Sequence, residues 1–437
     1  MGRVSTLSQE EVTTHDVVSR PVAVKRRVAT GVVFVSVGVL VVLLMTWWRG
    51  DASSTTFRLS DASDFVKIPD TTVAAWFSAV VFGGVPLLVG AVAVARPLLG
   101  RTKALAISLV VLCGVLGFLV WTGTAQAGTT IDLTGLLTNT LFLAIPLVLG
   151  AMAGIVSERS GVINVAIEGQ MLAAAFAAAM FATLAGSLLV GVFGAVAIGA
   201  LVGALLAVFA IRYLVNQVVL GVVINLLVLG LTNYLYSSLM QQDASTFNAP
   251  KVFQPIAIPV LSDIPVLGRL LFTGNLLVYG TFVVVALVHV MLFHSRWGLR
   301  TRAVGEHPKA ADTLGIKVNR LRFRNSLWAG ALAGLAGAYL SIGSVGEFNS
   351  NMTAGRGFIA LAAVIFGRWT PIGSLGAAML FAFCTALRTL LSIIGTPVDI
   401  PTELLTMLPY VVTVIVVAGV VGRVRAPAAD GIPYTKA

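Results

Sequence analysis

The residues best suited to handling a polar solute lie in Ser157-Glu-Arg-Ser-Gly-Val-Ile-Asn-Val-Ala-Ile-Glu-Gly-Gln-Met-Leu, which sets Asn164, Glu168 and Gln170 at the start of an apolar run. With a helix beginning at Val162, Glu168 sits roughly 9 Å inside its end, at about 1.5 Å of rise per residue. A carboxylate near a bilayer centre costs about 2.5 kcal/mol or more unless it meets water, a partner or protein polar groups. Gly161 and Gly169 bracket the carboxylate. Helices broken at glycine often line binding sites inside membrane proteins, because free backbone groups are tolerated there only beside a cavity. The alternative is structural: Glu168 pairs with Arg159 or caps a helix.

A second polar cluster begins Glu347-Phe-Asn-Ser-Asn-Met-Thr-Ala-Gly-Arg-Gly-Phe and continues into a short, glycine-bounded apolar run, Gly357 to Gly367. It reads as a half-helix too short to span alone. Phe348, Asn349, Asn351 and Phe358 could offer a stacking face and amide groups to a planar, hydroxylated ligand; otherwise the segment is a loop packed on its neighbours. Asn216, Gln217, Asn225 and Asn233 recur along another apolar run, where polar side chains more often join helices than touch a solute. Cys113 and Cys384 are isolated within apolar runs. His289 and His294, five residues apart, share a helical face poorly, so no metal site is expected.

The elements that must position these groups are helices in a membrane. At 57% hydrophobic and 11% charged residues, with a mean hydropathy of +0.96, a chain of 437 residues is excluded from the soluble class. The expected fold is all-α and polytopic, with about 10–12 transmembrane helices including short or discontinuous ones. A hydrocarbon core needs about 20 helical residues to cross, and twelve candidate runs are present: Val28–Trp48, Thr72–Ala95, Ala104–Thr124, Leu133–Val156, Val162–Leu184, Leu188–Ile211, Leu214–Met240, Asn275–Phe293, Ser326–Val345, the short Gly357–Gly367, Ile372–Ile394 and Thr402–Val421. Gly199-x-x-x-Gly203 and Gly330-x-x-x-Gly334 with Gly337 would let helices approach closely. Trp47, Trp48, Trp297 and Trp369 fall near the expected interfaces, as an aromatic belt would.

Charge gives the orientation. The net charge of +11 suggests no nucleic-acid partner in such a chain, since Lys and Arg accumulate in cytoplasmic loops. With the amino terminus inside and strict alternation, 22 of the 29 basic residues fall on the cytoplasmic side. Both termini are then cytoplasmic. Residues 1–27 form a polar tail, 28–131 hold additional helices and an outer loop, 132–423 form the main transmembrane core, and 424–437 are a second tail. The loop 295–325 is the most basic connection; within it Pro308 to Leu314 reads as a short helix, with Pro in its first turn and Gly315 at its end. The chain has no Gly-Lys dipeptide, hence no phosphate-cradling loop of its own. It carries no cofactor and is not expected to be an enzyme.

Three segments in order resemble the permease subunits of bacterial ABC importers, in the superfamily serving branched-chain amino acids and simple sugars, and are most similar to its nucleoside branch. They are Glu158-Arg-Ser-Gly-Val-Ile-Asn-Val-Ala-Ile-Glu-Gly-Gln-Met-Leu, Gly298-Leu-Arg-Thr-Arg-Ala-Val-Gly-Glu-His-Pro-Lys-Ala-Ala-Asp-Thr-Leu-Gly-Ile, and Met352-Thr-Ala-Gly-Arg-Gly-Phe-Ile-Ala-Leu-Ala-Ala-Val-Ile-Phe-Gly. The similarity covers roughly Leu133 to Arg423, leaving the first three runs outside it. The resemblance implies that Glu306, Pro308, Ala310, Ala311 and Gly315 belong to a segment that inserts into a separate cytoplasmic ABC ATPase, where ATP-Mg binds. It further implies a second homologous permease, an extracytoplasmic substrate-binding lipoprotein, a small-molecule cargo, and residence in the bacterial plasma membrane. A proton-coupled carrier using Glu168 is the competing class, and it leaves the basic loop without a task.

Overall fold

A computed structural model describes residues 8–60, 66–398, 400–401, 403–405, 407 and 425–436. Among these, ten helices are long and apolar enough to cross a membrane. Helix is what such runs must form, since hydrocarbon offers no partner to a free backbone N–H or C=O. The chain divides into two compact units, residues 1–134 with 388–407 and residues 135–387 with 408–437.

In the first unit, α1 (Ser8–Thr46), α2 (Ala75–Ala95) and α3 (Gly100–Gly123) carry three spans. Residues 8–27 are thus helical, continuous with the first span, rather than an irregular tail. The connection after α1 also carries short strands. Its β1 (Ser54–Arg58) pairs antiparallel with β2 (Thr71–Ala74) and parallel with β3 (Thr130–Asp132), giving a small sheet of order β2-β1-β3. Thr55 and Phe57 alternate inward along β1, and the Thr55 hydroxyl donates to the Val120 carbonyl at 2.8 Å. The strands escaped the sequence reading because each is short and one of the two partners of β1, β3, lies in a different loop.

Apart from the first two residues of α4 and the end of α13 from Arg388 onward, which are counted with the first unit, the second unit contains α4 (Leu133–Glu158), α5 (Ile167–Ala185), α6 (Leu188–Arg212), α7 (Gln217–Met240), α8 (Leu276–His294), α9 (Arg296–Glu306), α10 (Pro308–Thr313), α11 (Val318–Val345), α12 (Arg356–Phe366) and α13 (Pro371–Ile394). The most apolar windows of α4, α5 and α11 are 89%, 72% and 67% buried within the protein, against 28% for α7 and 33% for α6 and α8; the first three form the centre and the others carry the lipid-facing surface. The small-residue motifs do what their spacing requires. A Cβ on Gly199 would collide with the Gly330 carbonyl, and one on Gly337 with the backbone of α5 at Met171, so α11 is pressed against both α6 and α5. The twelfth expected run, Thr402–Val421, lies almost wholly outside the described residues.

Three departures shape the functional region. Helix α5 starts at Ile167, not Val162. The chain before it stays open because Gly161 takes a positive φ of 88° and because α7 side chains satisfy its backbone: Gln217 Oε1 accepts from Ile163 N at 2.8 Å, and Asn225 Nδ2 donates to Val165 O at 2.9 Å. The carboxyl-terminal residues 425–436 pack on the second unit, with Ala429 and Tyr434 buried. Trp369 is only 6% exposed and donates through Nε1 to Glu158 Oε2 at 2.6 Å, so it is an internal anchor rather than part of an interfacial belt. Trp47, 76% exposed, suits such a belt.

Candidate functional site

Four of the spans contain π-helical stretches, and the longest, Tyr339–Val345, ends α11. Such wide turns free backbone groups and are frequent at functional sites. Here the connection between α7 and α8 takes up part of that freedom. Phe253 N donates to Ile342 O at 3.1 Å, and Asn275 Nδ2 donates to Gly343 O at 2.7 Å while its Oδ1 caps α8 by accepting from Leu277 N and Val278 N. Beside this stretch lies a cavity of about 550 Å³, lined by α4 (Asn139, Phe142, Pro146), the connection (Phe253, Gln254, Asn275), α11 (Tyr339, Ser344) and the approach to α12 (Asn349, Met352, Arg356). The volume falls within the range of about 300–1,000 Å³ usual for small-molecule sites. Aromatic rings beside amides and a guanidinium suit a flat, neutral solute rich in hydrogen-bonding groups.

Of the six residues expected along a solute path, the cavity contains Asn349. Asn164 is fully buried and exchanges two amide hydrogen bonds with Gln170, at 3.0 and 3.2 Å. Glu168, 8% exposed, accepts from Gly355 N at 2.8 Å and Gly357 N at 2.6 Å, so its two oxygens cap the start of α12, where the orphan N–H groups and the positive end of the helix dipole favour a carboxylate. Arg159 instead donates to the Trp369 carbonyl at 3.0 Å. Phe348 is fully buried, edge-on to Phe176 and Tyr236, with its backbone clasped by Asn248 through bonds of 2.9 and 2.7 Å. Asn351 adopts a positive φ of 53° in the turn before α12, and Phe358 is 47% exposed. Glu168 thus holds the start of the half-helix, and the cavity is lined mainly by residues other than the six.

Asn139, Gln254, Tyr339 and Arg356 line the cavity and escaped the sequence reading. Arg356 stood between two noted glycines and was the one visible signal; a π-helical stretch leaves no mark in residue spacing. The polar residues of α7 join segments, as expected: Asn225 Oδ1 accepts from Gly169 N at 2.8 Å, Asn216 caps α7, and Asn233 Oδ1 accepts from Ser350 Oγ at 2.7 Å. His289 and His294 are closer than their spacing suggested, with ring centroids 5.8 Å apart. Among the described residues, no three His, Cys, Asp or Glu side chains come together as a metal site.

The basic connection folds into two short helices. Ser295 Oγ accepts from Gly298 N at the start of α9, and His307 Nδ1 accepts from Ala310 N at the start of α10, with Pro308 at the first position. Helix α10 stops at Thr313, one residue short of the expected end, and Gly315 reverses the chain with φ of 83°. Ala311 is buried, whereas Glu306, Ala310 and Gly315 are exposed and Pro308 is half-buried. Leu314 projects from the tip, 81% exposed.

Broken helices around a solute-sized cavity, built within a lipid-facing bundle, make this a multi-pass membrane permease. The chain belongs to the family described as branched-chain amino acid transport system / permease component, whose model matches residues 136–417. It is 39% identical over 306 residues to the guanosine ABC transporter permease protein NupQ of Bacillus subtilis, covering 68% of this chain and 95% of that one. It is also 39% identical over 305 residues to the nucleoside ABC transporter permease protein NupC of Lactococcus lactis, covering 68% and 96%. A putative glucose ABC transporter permease of Haloferax volcanii is 34% identical over 254 residues, 58% of this chain and 77% of its own. No solved structure matches the chain.

Proposed function

We propose that this chain is the transmembrane subunit of an ATP-driven ABC importer of nucleosides in the bacterial plasma membrane. The observation that carries the reading is the similarity to two nucleoside-class permeases along nearly their whole length, and the cavity supports it independently. A nucleoside is a planar base joined to a hydroxylated ring: Phe142, Phe253 and Tyr339 suit the base, and Asn139, Gln254 and Asn349 suit the polar edges. The excess of Lys and Arg in the basic connection supports a cytoplasmic location for α9, α10 and both termini. There α10 and the Leu314 tip engage a separate ABC ATPase, which binds ATP-Mg and supplies the energy. A second homologous permease completes the path, and an extracytoplasmic lipoprotein delivers the cargo.

In this mechanism, ATP-driven closure of the ATPase moves α10. Because Ala311 is buried beside Val304 and Val318, that movement passes to α9 and to the inner end of α11. The outer end of α11 is the π-helical wall of the cavity, so rocking α11 changes access to the cargo. A simple-sugar cargo is the second reading, favoured by the relative from Haloferax volcanii. The lone proton-coupled carrier is disfavoured, because both oxygens of its candidate carboxylate, Glu168, are already engaged by backbone donors.

Proteoliposomes holding the assembled complex, with ATP enclosed on the coupling-segment side, test the proposal. Labelled guanosine should accumulate only with ATP, resist a protonophore, and be displaced by unlabelled nucleosides but not by ribose or glucose. Displacement by free sugar would transfer the assignment to sugars. Uptake by this chain alone, abolished by the protonophore, would overturn the importer.

A further inference from the structure

Arg322, at the start of α11, is only 2% exposed, and its guanidinium holds three carbonyls from two other pieces of chain. Nε donates to Ser160 O at 3.0 Å, Nη1 to Ile432 O at 2.8 Å and Nη2 to Ala429 O at 3.4 Å. Two of these carbonyls belong to the carboxyl-terminal segment, and the third to the open turn after α4. The same segment reaches the coupling helices. Ala429 N donates to Gly305 O at 2.8 Å, Ala428 N donates to Glu306 Oε2 at 3.3 Å, and Tyr434 packs with Val304, Ala311 and Val318. At its far end Lys436 lies 3.9 Å from Asp312.

We propose that residues 425–436 are a strap that fixes the pose of α9 and α10 against the inner ends of α4 and α11, with Arg322 as its staple, so that a push on the coupling segment becomes a movement of the spans. The proposal rests on the importer reading. Without the strap, α10 keeps its own caps but loses the Tyr434 wedge, and ATP-driven displacement is absorbed by slack between α10 and α11. Arg322 and Tyr434 are positioning residues; neither touches cargo or nucleotide. Lysine cannot replace Arg322, because one ammonium on a flexible stem cannot hold three carbonyls in the guanidinium plane.

Charge adds a signature that packing alone would not give. Burial pushes the Asp430 carboxyl up to about 7, against the pull of the Arg322 guanidinium. The other charged groups of the surrounding elements are Glu158 and Arg159 at the end of α4, Arg296, Arg300, Arg302 and Glu306 on α9, Lys309 and Asp312 on α10, and Lys317, Arg320 and Arg324 around the start of α11. Of these, Glu158 interacts directly with Asp430, and an oxygen on each of the two carboxyls is buried without a hydrogen-bond partner. A free aspartate titrates near about 3.9. The docked strap therefore holds a proton that the free strap releases between roughly pH 4 and 7, and docking weakens as pH rises through that window, then levels off.

The test uses the full complex in proteoliposomes and compares labelled guanosine transported per ATP hydrolysed for the wild type, a chain ending at residue 424, Tyr434→Ala, Arg322→Lys and Tyr434→Ala with Asp430→Asn. The truncated chain and the first two substitutions should keep the ATPase bound and its hydrolysis near wild type, while transport per ATP falls about tenfold. Lowering pH from 8 to 6 should restore part of the Tyr434→Ala loss relative to wild type, and Asp430→Asn should remove that pH response. Unchanged transport per ATP in Tyr434→Ala at both pH values overturns the strap, even if the truncated chain fails to assemble. A wild-type complex that retains no ATPase instead refutes the importer reading, independently of the strap.

Discussion

Glu168→Ala is expected to cost stability first and transport as a consequence. The carboxylate accepts from Gly355 N and Gly357 N across 187 and 189 residues of sequence, and it is the link that ties α12 to α5. Hydrogen bonds to a charged group contribute about 1.5–3 kcal/mol each, and removing the acceptor also leaves buried donors unsatisfied. Loss of both therefore destabilises by roughly 3–6 kcal/mol, which for a chain of this length corresponds to a fall of about 3–7 °C in the unfolding midpoint. Thermal unfolding of the detergent-solubilised chain, followed beside guanosine uptake, should show the two falling together. Glu168→Gln should land between, because one carbonyl oxygen can still accept while its NH2 faces a backbone donor. A Glu168→Ala chain of wild-type thermal stability that has nevertheless lost uptake would mean that the carboxylate meets cargo instead of capping α12.

The second large effect is expected at Leu314. The side chain is 81% exposed at the end of α10, where its only physical advantage is to bury itself in another protein. Leu314→Asp should leave membrane insertion and thermal stability unchanged, because among the described residues the side chain stands 81% exposed. An apolar anchor at the centre of an interface is commonly worth about 2 kcal/mol or more, so affinity for the ATPase should drop about 30-fold or more, and co-purification should fail. Ala311→Asp would be a poor substitute, since Ala311 lies on the buried face of α10 and its replacement would disturb the fold. Wild-type retention of the ATPase by Leu314→Asp would move the docking surface away from this tip.

The membrane helices and the short helix of the basic connection were legible in the sequence because both rest on local physics. Apolar length specifies a span, and Pro308 followed by Gly315 marks the two ends of one short helix. The glycine pairs of α6 and α11 were legible for the same reason, since small residues four apart on a helix announce a close neighbour. The solute path was legible only in part. Glu168 and Asn164 look like cargo ligands when only their own helix is considered. Their roles are set by Gly355, Gly357 and Gln170, and two of those three donors lie nearly two hundred residues away. Tyr339 and Gln254 carry no unusual spacing, and become cavity residues only because α11 widens into a π-helical stretch and the α7–α8 connection folds over it. The carboxyl-terminal strap was hidden for a similar reason: a segment with two prolines and a glycine between residues 427 and 433 reads as a loose end until Arg322 is seen to hold it.

The central claim is that α9 and α10 face the cytoplasm, where an ATPase can grip them. Lys309→Cys tests it most directly: Lys309 is exposed on α10, while the native Cys113 and Cys384 are buried and contribute little background. A thiol reagent that cannot cross membranes should leave this variant unmodified in intact cells, modify it once the cells are permeabilised, and modify it less when the ATPase is bound. Modification in intact cells would place the coupling segment outside and contradict the account.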